Sequence, residues 1–161
     1  MKILYLGSFD PAHMGHYNTF RKAEKYFGQP VKVCICINDL KESGVFSASE
    51  RLEIAKTIFP GAEVSVDQDK DTIRELILSA DGFVRGYNDE KDKQYAAGLA
   101  KYYGVADFLD KVHFFKIDEE YSAMSSTIIK ARLFTDPDYV KYAVGELGYR
   151  MLLEKLSANN H

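Results

Sequence analysis

The sequence has few cysteines, no long apolar run and no excess of positive charge. Only two of its 161 residues are cysteines, Cys34 and Cys36, which is too few for a disulfide framework. No stretch approaches the roughly 20 apolar residues of a membrane-spanning helix, and the apolar run at the amino terminus is too short for a signal peptide. Internal repeats, low-complexity tracts and linkers are also missing. These absences predict a soluble cytoplasmic protein.

The charge and composition narrow the class of protein further. The formal net charge of -3 argues against a general nucleic-acid-binding protein, because such proteins usually carry a basic face. It is compatible with a local basic pocket for one phosphorylated ligand. With 46% hydrophobic and 28% charged residues, the chain has the composition of a folded protein. We expect one domain over residues 1–157 and a frayed tail over residues 158–161.

Short apolar runs alternate with amphipathic segments along the chain. The five runs predicted as strands are residues 3–6, 31–37, 63–66, 82–84 and 112–117. The segments predicted as helices are residues 16–27, 47–59, 72–80, 89–103, 125–134 and 137–156. Ser47 and Glu50 have the spacing of a capping box, and Asp136 is the expected cap of the last helix. The alternation predicts an α/β protein with a doubly wound, mainly parallel five-stranded sheet, which binds ligands at the carboxyl ends of its strands.

The loop after the first predicted strand carries the clearest chemical signal. Residues 7–16 read GSFDPAHMGH and place His13 and His16 around Gly15 at a strand-to-helix junction. A glycine lets a phosphate come close, and the start of a helix offers unpaired N–H groups to an anion. An imidazole there can donate a hydrogen bond to a phosphoryl oxygen as charge develops on it. Two exposed loop histidines or a metal site are the alternatives, but no further ligand stands at a metal-site spacing, so we predict no metal site.

Two other strand ends carry groups that suit anions. Arg85 and Gly86 follow the fourth predicted strand, where a guanidinium can hold a phosphate through two hydrogen bonds. Ser125, Ser126 and Thr127 begin a helix after the fifth strand, where hydroxyl and N–H groups suit phosphates. Each segment taken alone also fits a plainer interpretation, a solvated surface arginine in the first case and an ordinary helix cap in the second.

Together the motifs resemble the HxGH nucleotidyltransferase superfamily. GSFDP and HMGH in residues 7–16 match its signature, and Ser125, Ser126 and Thr127 after Met124 are similar to its ISST motif. The resemblance implies a Rossmann-like fold and transfer of a nucleotidyl group from a nucleoside triphosphate to a phosphate-bearing acceptor, with release of pyrophosphate. Motif order and spacing are most similar to the bacterial phosphopantetheine adenylyltransferases. That similarity implies ATP as donor and 4'-phosphopantetheine as acceptor, in coenzyme A biosynthesis.

The resemblance also implies roles for individual residues. The catalytic candidates are His16 at the α-phosphate, His13 at the triphosphate and Lys41 as a charge-neutralising cation. The expected nucleotide-binding residues are Gly7, Ser8, Phe9, His13, His16, Arg85, Gly86, Tyr121, Ser125, Ser126 and Thr127. The expected acceptor-binding residues are Ser8, Lys41, Asp71 and Arg85. Mg²⁺ is expected to arrive with the triphosphate, and the resemblance implies a homo-oligomer such as a hexamer.

Five features of the sequence depart from the adenylyltransferase pattern, and one of them is His13, at a position where that family commonly has threonine. Asn88 stands where that family has the last arginine of RG[LI]R, and Ala96 stands where it has a glutamate. The family lysine aligns with Glu42, next to Lys41, and the polar residues 69–72 replace an apolar stretch near the pantetheine arm. These departures leave three alternatives open: a cytidylyltransferase acting on a phosphorylated alcohol, an adenylyltransferase with an acceptor of the nicotinate mononucleotide type, and a non-catalytic nucleotide-binding module.

Overall fold

A computed structural model describes residues 1–37 and 44–158. The strands are β1 (Ile3–Gly7), β2 (Lys32–Cys36), β3 (Val64–Asp67), β4 (Gly82–Tyr87) and β5 (Val112–Lys116). The α-helices are α1 (Met14–Phe27), α2 (Ala48–Ile58), α3 (Lys70–Ser79), α4 (Glu90–Tyr103), α5 (Ser126–Ala131) and α6 (Pro137–Ala158). Short 3-10 turns span Leu109–Lys111 and Glu119–Tyr121.

The five strands form one sheet in the order β3-β2-β1-β4-β5, and all four strand pairs are parallel. Each connection therefore crosses over through a helix, as the alternating sequence pattern predicts. The predicted α/β class and the parallel five-stranded sheet are confirmed. Because β1 pairs with β2 on one side and with β4 on the other, the strand order reverses between β1 and β4. A crevice outside the carboxyl ends of these two strands is the ligand site expected in such a sheet.

Side chains alternate between two apolar layers, one on each face of the sheet. From β1, Ile3 and Tyr5 pack with residues of α1, α2, α5 and α6. Leu4 and Leu6 point the other way and pack with residues of α3 and α4. This two-residue alternation is the ordinary geometry of a strand buried on both faces. Within the part of the chain that the structure describes, no helix is long and apolar enough to cross a membrane.

Most boundaries differ from the prediction by a few residues, and two of these differences matter for the site and for the end of the chain. Strand β4 continues to Tyr87, because Arg85, Gly86 and Tyr87 pair in register with β5. The prediction that Arg85 and Gly86 follow the strand was therefore wrong, since both lie inside it. Helix α6 contains a kink at Gly145, whose φ of 78° is left-handed, and it runs to Ala158, past its predicted end at residue 156. Residues 159–161 of the predicted tail lie outside the described residues. The predicted cap of α6 is confirmed, because the Asp136 carboxylate accepts a hydrogen bond from the Tyr139 N–H.

Candidate active site

The carboxyl ends of the strands open onto a cavity of about 950 Å³. Its wall includes residues at or just after the ends of all five strands, together with the first turn of α1 and the start of α5. Most residues predicted to bind the nucleotide line it: Gly7, Ser8, Phe9, His13, His16, Arg85, Gly86, Tyr121, Ser125 and Ser126. Thr127 and Asp71 are exposed and are not part of this wall. Lys41 lies outside the described residues, so its role stays a prediction.

His13 and His16 cap the start of α1 reciprocally. The Nδ1 of His13 accepts a hydrogen bond from the Gly15 N–H at 3.1 Å, and the Nδ1 of His16 accepts one from the His13 N–H at 3.1 Å. The two imidazoles stack with their centroids 3.7 Å apart. The interpretation as exposed loop histidines is wrong, because His13 is only 6% exposed and forms part of the helix cap.

The capping geometry fixes which nitrogen of each ring carries the proton. Each Nδ1 faces a backbone donor, so a neutral ring must hold its hydrogen on Nε2. Burial lowers the pKa of His13 to about 4. Burial, the neighbouring His13 and the charge of Arg85 together hold the pKa of His16 well below its usual value. At neutral pH both side chains are therefore uncharged and keep an Nε2–H donor that is free of the helix cap.

His16 packs against an aromatic cluster that contains Phe9 and Tyr5. The ring of Phe9 contacts His16 edge to face at a centroid distance of 4.8 Å, and Tyr5 contacts Phe9 at 5.2 Å. Gly15 is required beside His13, because a Cβ there would lie 2.9 Å from Cε1 of that ring. The first turn of α1 thus leaves no space for a side chain at residue 15 unless the His13 ring moves, which explains the glycine in HMGH.

Arg85 supplies positive charge to the wall of the cavity. Its Nη1 donates to the carbonyl of Leu6 at 3.2 Å, and its guanidinium lies 5.1 Å from the centroid of the Tyr95 ring. Because a guanidinium has five N–H donors, further donors remain for a phosphate. Together with Arg51 and Lys155, which also line the cavity, Arg85 provides a local cationic site in a protein whose net charge is -3.

The opposite wall is formed by the segment around α5. Ser125 caps this helix, with its Oγ accepting a hydrogen bond from the Ile128 N–H at 3.2 Å, which leaves the hydroxyl hydrogen available to a ligand. Tyr121 lines the same part of the cavity. The hydroxyl oxygen of Tyr142 lies 3.2 Å from that of Tyr121 and 2.9 Å from Oε1 of Glu120. These contacts with Tyr121 and Glu120 raise the pKa of Tyr142, so its hydroxyl stays protonated.

One part of the cavity, here called the apolar wing, is lined by residues from the α3 and α4 side of the sheet. Apolar and aromatic side chains dominate its wall: Leu6, Ile73, Ile77, Leu99, Tyr103 and Phe108. The polar residues 69–72 do not line this part of the cavity. Asp69 caps α3 by accepting hydrogen bonds from the N–H and the hydroxyl of Thr72, both at 2.9 Å, and Asp71 is exposed. The polar residues 69–72, which replace the apolar stretch of the family, therefore lie outside the cavity wall.

Asn88 and Ala96, two of the positions that depart from the adenylyltransferase pattern, have different surroundings. Asn88 lines the cavity, its Nδ2 donates to the Ser122 carbonyl at 3.1 Å, and its buried Oδ1 has no partner among the described residues. Its N–H donates to Asp92 at 2.7 Å, a cavity-lining carboxylate that sequence reasoning missed. Ala96 is fully buried in the apolar layer of α3 and α4. An acceptor oxygen thus replaces the expected cation at Asn88.

Asp10 and Arg51 also line the cavity and were not among the predicted site residues. The Asp10 carboxylate accepts hydrogen bonds from the N–H groups of Val45 at 2.8 Å and Phe46 at 2.9 Å. Arg51 Nε lies 3.5 Å from Asp10 Oδ1, and Arg51 Nη1 donates to the Ser8 carbonyl at 3.1 Å. The available signals were Asp10 inside GSFDP and Arg51 at the end of the FSASER segment.

No group of three or more His, Cys, Asp or Glu side chains within residues 1–37 and 44–158 is arranged to hold a metal ion. The polar groups that line the cavity near α1, α5 and Arg85 include several hydrogen-bond donors, namely imidazole N–H, hydroxyl and guanidinium groups. Such a donor set suits the oxygens of phosphate groups rather than a bare cation.

Comparison with known proteins agrees with the fold and the motifs. The cytidylyltransferase-like family model matches residues 4–132. A phosphopantetheine adenylyltransferase from Leptospira biflexa is 31% identical over 136 residues, with 79% of this chain and 80% of that protein covered. One from Corynebacterium glutamicum is 29% identical over 160 residues, covering 91% and 96%. The fold is shared with nicotinic acid mononucleotide adenylyltransferase of Plasmodium falciparum, at a TM-score of 0.60, 15% identity and 96% coverage of both chains.

Proposed function

Because the chain belongs to the cytidylyltransferase-like family, we propose that it transfers AMP from ATP to a phosphorylated small molecule and releases pyrophosphate. The observation that carries this proposal is the pair of neutral imidazoles at the start of α1. Each keeps an Nε2–H donor because its Nδ1 is used by the backbone, and both rings share one cavity with Arg85. Such donors stabilise a phosphoryl group as negative charge develops on it.

In the proposed reaction an oxygen of the acceptor phosphate attacks the α-phosphorus of ATP in line with the departing pyrophosphate. The new bond joins that oxygen to the α-phosphorus, and the bond between the α-phosphorus and the α,β-bridging oxygen breaks. No protein nucleophile is needed, since the acceptor is already an anion. Catalysis then consists of positioning and charge stabilisation.

Individual cavity residues are each assigned a role in binding one of the phosphate groups. His16 donates to the α-phosphate and His13 to the adjoining triphosphate, while Ser125 and Ser126 hold the leaving pyrophosphate. Arg85, which also lines the cavity, would neutralise the acceptor phosphate beside the α-phosphate. Mg²⁺ would enter as its ATP complex and supply further neutralisation of the triphosphate charge, since the donor set of the cavity fits phosphate oxygens.

We propose 4'-phosphopantetheine, a precursor in coenzyme A biosynthesis, as the acceptor. Support comes from the curated relatives, which are phosphopantetheine adenylyltransferases. It also comes from the apolar wing between α3 and α4, which offers Ile73, Ile77 and Leu99 to the arm of an acceptor. The polar residues 69–72 are not an obstacle, because Asp69 is used as a helix cap and Asp71 is exposed.

Pyrophosphate release from ATP and from CTP, measured with a panel of acceptors, tests this function. The panel contains 4'-phosphopantetheine, nicotinate mononucleotide and glycerol 3-phosphate, which represent the three candidate substrate classes. We expect turnover with ATP and 4'-phosphopantetheine. Turnover with CTP or with another acceptor identifies a different member of the family, and tight ATP binding without turnover on any acceptor identifies a non-catalytic module.

The His16→Ala variant tests whether His16 stabilises the transition state by donating to the α-phosphate. We expect kcat to fall by about a hundredfold, the usual loss when one donor to a transition-state oxyanion is removed. His113→Ala is the matched control, because His113 lies on β5 and contacts Tyr26 and Phe27 outside the cavity. A His16→Ala enzyme that retains activity within about threefold of wild type rules out this role for His16.

A further inference from the structure

Arg51 and Asp10 connect the first loop of the site to the start of α2. Arg51 is only 5% exposed although it carries a charge, and its Nε donates to the Phe46 carbonyl at 2.9 Å. Its Nη1 donates to the Ser8 carbonyl, and its Nε faces the Asp10 carboxylate. A buried charge is strongly unfavourable unless it is paired and hydrogen-bonded. The contacts of Arg51 provide such partners, so its guanidinium is held in one defined position.

The fit around this pair leaves no room for a side chain at residue 44. A Cβ on Gly44 would collide with the Asp10 carboxylate and with the Arg51 guanidinium. The Asp10 carboxylate is also fixed from its other side by the N–H groups of Val45 and Phe46. The first loop and the segment before α2 are therefore joined tightly, and Arg51 has little freedom to move.

The hydrogen bond from Arg51 to the Ser8 carbonyl sets the direction of the next N–H. In a trans peptide the carbonyl of one residue and the N–H of the next point to opposite sides. The Phe9 N–H therefore points away from Arg51. Phe9 has a left-handed φ of 43°, which a non-glycine residue adopts only where its surroundings impose it.

The Phe9 N–H is available as a hydrogen-bond donor to a ligand in the cavity. Phe9 is 2% exposed and lines the cavity, and among the described residues its N–H has no acceptor. A buried N–H without an acceptor costs free energy that a ligand oxygen would recover. We propose that Arg51 and Asp10 are positioning residues, which hold the Ser8–Phe9 peptide so that the Phe9 N–H donates to a phosphate oxygen of the nucleotide in the transition state. This inference rests on the proposed nucleotidyl transfer.

Kinetics of Arg51→Lys and Asp10→Asn test this proposal. Lysine keeps the positive charge but cannot reach the Ser8 and Phe46 carbonyls together, and asparagine keeps the shape but loses the charge. We expect either variant to lower kcat by about tenfold to a hundredfold and to raise the KM for ATP by a smaller factor, because the hydrogen bond forms in the nucleotide complex and strengthens in the transition state. The double variant is expected to be no worse than the poorer single variant, since both residues hold the same peptide.

Ile58→Val is the matched control, because Ile58 is a buried residue of the same helix and lies outside the cavity. This variant lowers stability without touching the Ser8–Phe9 peptide, and we expect its kcat to equal that of wild type. A kcat of Arg51→Lys that equals the wild-type value in the folded enzyme overturns the proposal. Independent, additive losses in the double variant overturn it as well.

NMR of the Phe9 amide provides a readout that does not depend on turnover. The chain has 10 phenylalanines, so labelling with ¹⁵N-phenylalanine gives a small set of amide signals. With the Mg²⁺ complex of α,β-methylene-ATP, we expect the Phe9 amide proton to move downfield in wild type and to stay near its free position in Arg51→Lys.

The two measurements separate this inference from the proposed function. Binding of the analogue and a Phe9 shift without turnover on any acceptor contradict the proposed function but support the orientation of the peptide. Binding of the analogue without a Phe9 shift in wild type overturns the present inference. A chain that does not bind the analogue at all overturns both.

Discussion

The imidazoles of His13 and His16 stack with centroids 3.7 Å apart, and each uses its Nδ1 to accept a backbone hydrogen bond in the same helical turn. One pair of side chains therefore serves both folding and chemistry. The Nδ1 atoms begin the helix, and the Nε2–H groups remain for a phosphate. Protonation of either Nδ1 would place its hydrogen against a backbone N–H, so the cap and the proposed catalytic donors share one requirement, the neutral ring.

This requirement makes stability depend on pH in a defined direction. The unfolded chain has a histidine pKa near 6.5, whereas burial lowers that of His13 in the folded protein to about 4. Between these values the unfolded state binds the proton first, so the contribution of His13 to stability is complete above pH 6.5 and is lost as pH falls toward 4. The loss is about 1.4 kcal/mol per pH unit for each such histidine.

Urea unfolding of wild type and His13→Asn between pH 7 and pH 5 measures this effect. Asparagine is a good helix cap but does not titrate, so the variant keeps the cap and loses the pH dependence of His13. We expect the slope of unfolding free energy against pH to be smaller in His13→Asn by about 1.4 kcal/mol per unit below pH 6. Equal slopes in the two proteins would show that His13 is not held neutral by burial.

The lack of space for a side chain at Gly15 can be tested with two matched glycine variants. Gly15→Ala would push the His13 ring, whose Cε1 lies 2.9 Å from the added Cβ, whereas Gly98 of α4 has open space around it. We expect Gly15→Ala to lower kcat/KM at least about tenfold, because small misplacements of a catalytic group are costly. Gly98→Ala should leave activity unchanged and raise the unfolding free energy by about 0.5–1 kcal/mol. Steady-state kinetics and urea unfolding of both variants check this, and an active Gly15→Ala enzyme would contradict it.

The fold and the centre of the site could be predicted because their signals are local. Strands and helices follow from apolar spacing, and both histidines lie within four residues of each other at one helix start. The cap by Ser125 is equally local, since its partner is the Ile128 N–H. A helix start is a short-range structure, so its residues can be identified without knowledge of the tertiary fold.

Contacts between distant segments account for what sequence reasoning missed. Arg51 reaches the Ser8 carbonyl across 43 positions of the chain, and nothing local to either residue indicates that contact. The strand position of Arg85 depends on pairing between β4 and β5, which extends β4 beyond its apolar run. The sequence likewise did not indicate that the polar residues 69–72 lie outside the cavity wall, with Asp69 capping α3.

Ala96 shows why a family residue cannot be restored in isolation. It is fully buried in the apolar layer of α3 and α4, so the glutamate of Ala96→Glu would place a carboxylate there. We expect the free energy of unfolding to fall by more than about 2 kcal/mol, since a buried charge without a partner is strongly unfavourable. Ala97→Glu, at the exposed neighbouring position of the same helix, should change it by less than about 0.5 kcal/mol. Urea unfolding of both variants decides the point, and similar stabilities would mean that the layer can accommodate a carboxylate.

Tyr142 should affect nucleotide binding from outside the cavity. Its hydroxyl lies 3.2 Å from that of Tyr121, which lines the cavity, whereas Tyr142 itself does not. Tyr142→Phe removes this hydrogen bond, and a loss of about 1 kcal/mol corresponds to a roughly fivefold rise in the KM for ATP with kcat nearly unchanged.

Tyr139→Phe on the same helix is the matched control, because within residues 1–37 and 44–158 the Tyr139 hydroxyl makes no hydrogen bond and its ring packs on Arg132. Initial rates over a range of ATP concentrations compare both variants with wild type. Equal KM values for Tyr142→Phe and Tyr139→Phe would mean that Tyr121 is positioned by its backbone alone. A fall in kcat of Tyr142→Phe with unchanged KM would instead place Tyr121 near the reacting phosphates rather than at the part of ATP that stays bound unchanged through the reaction.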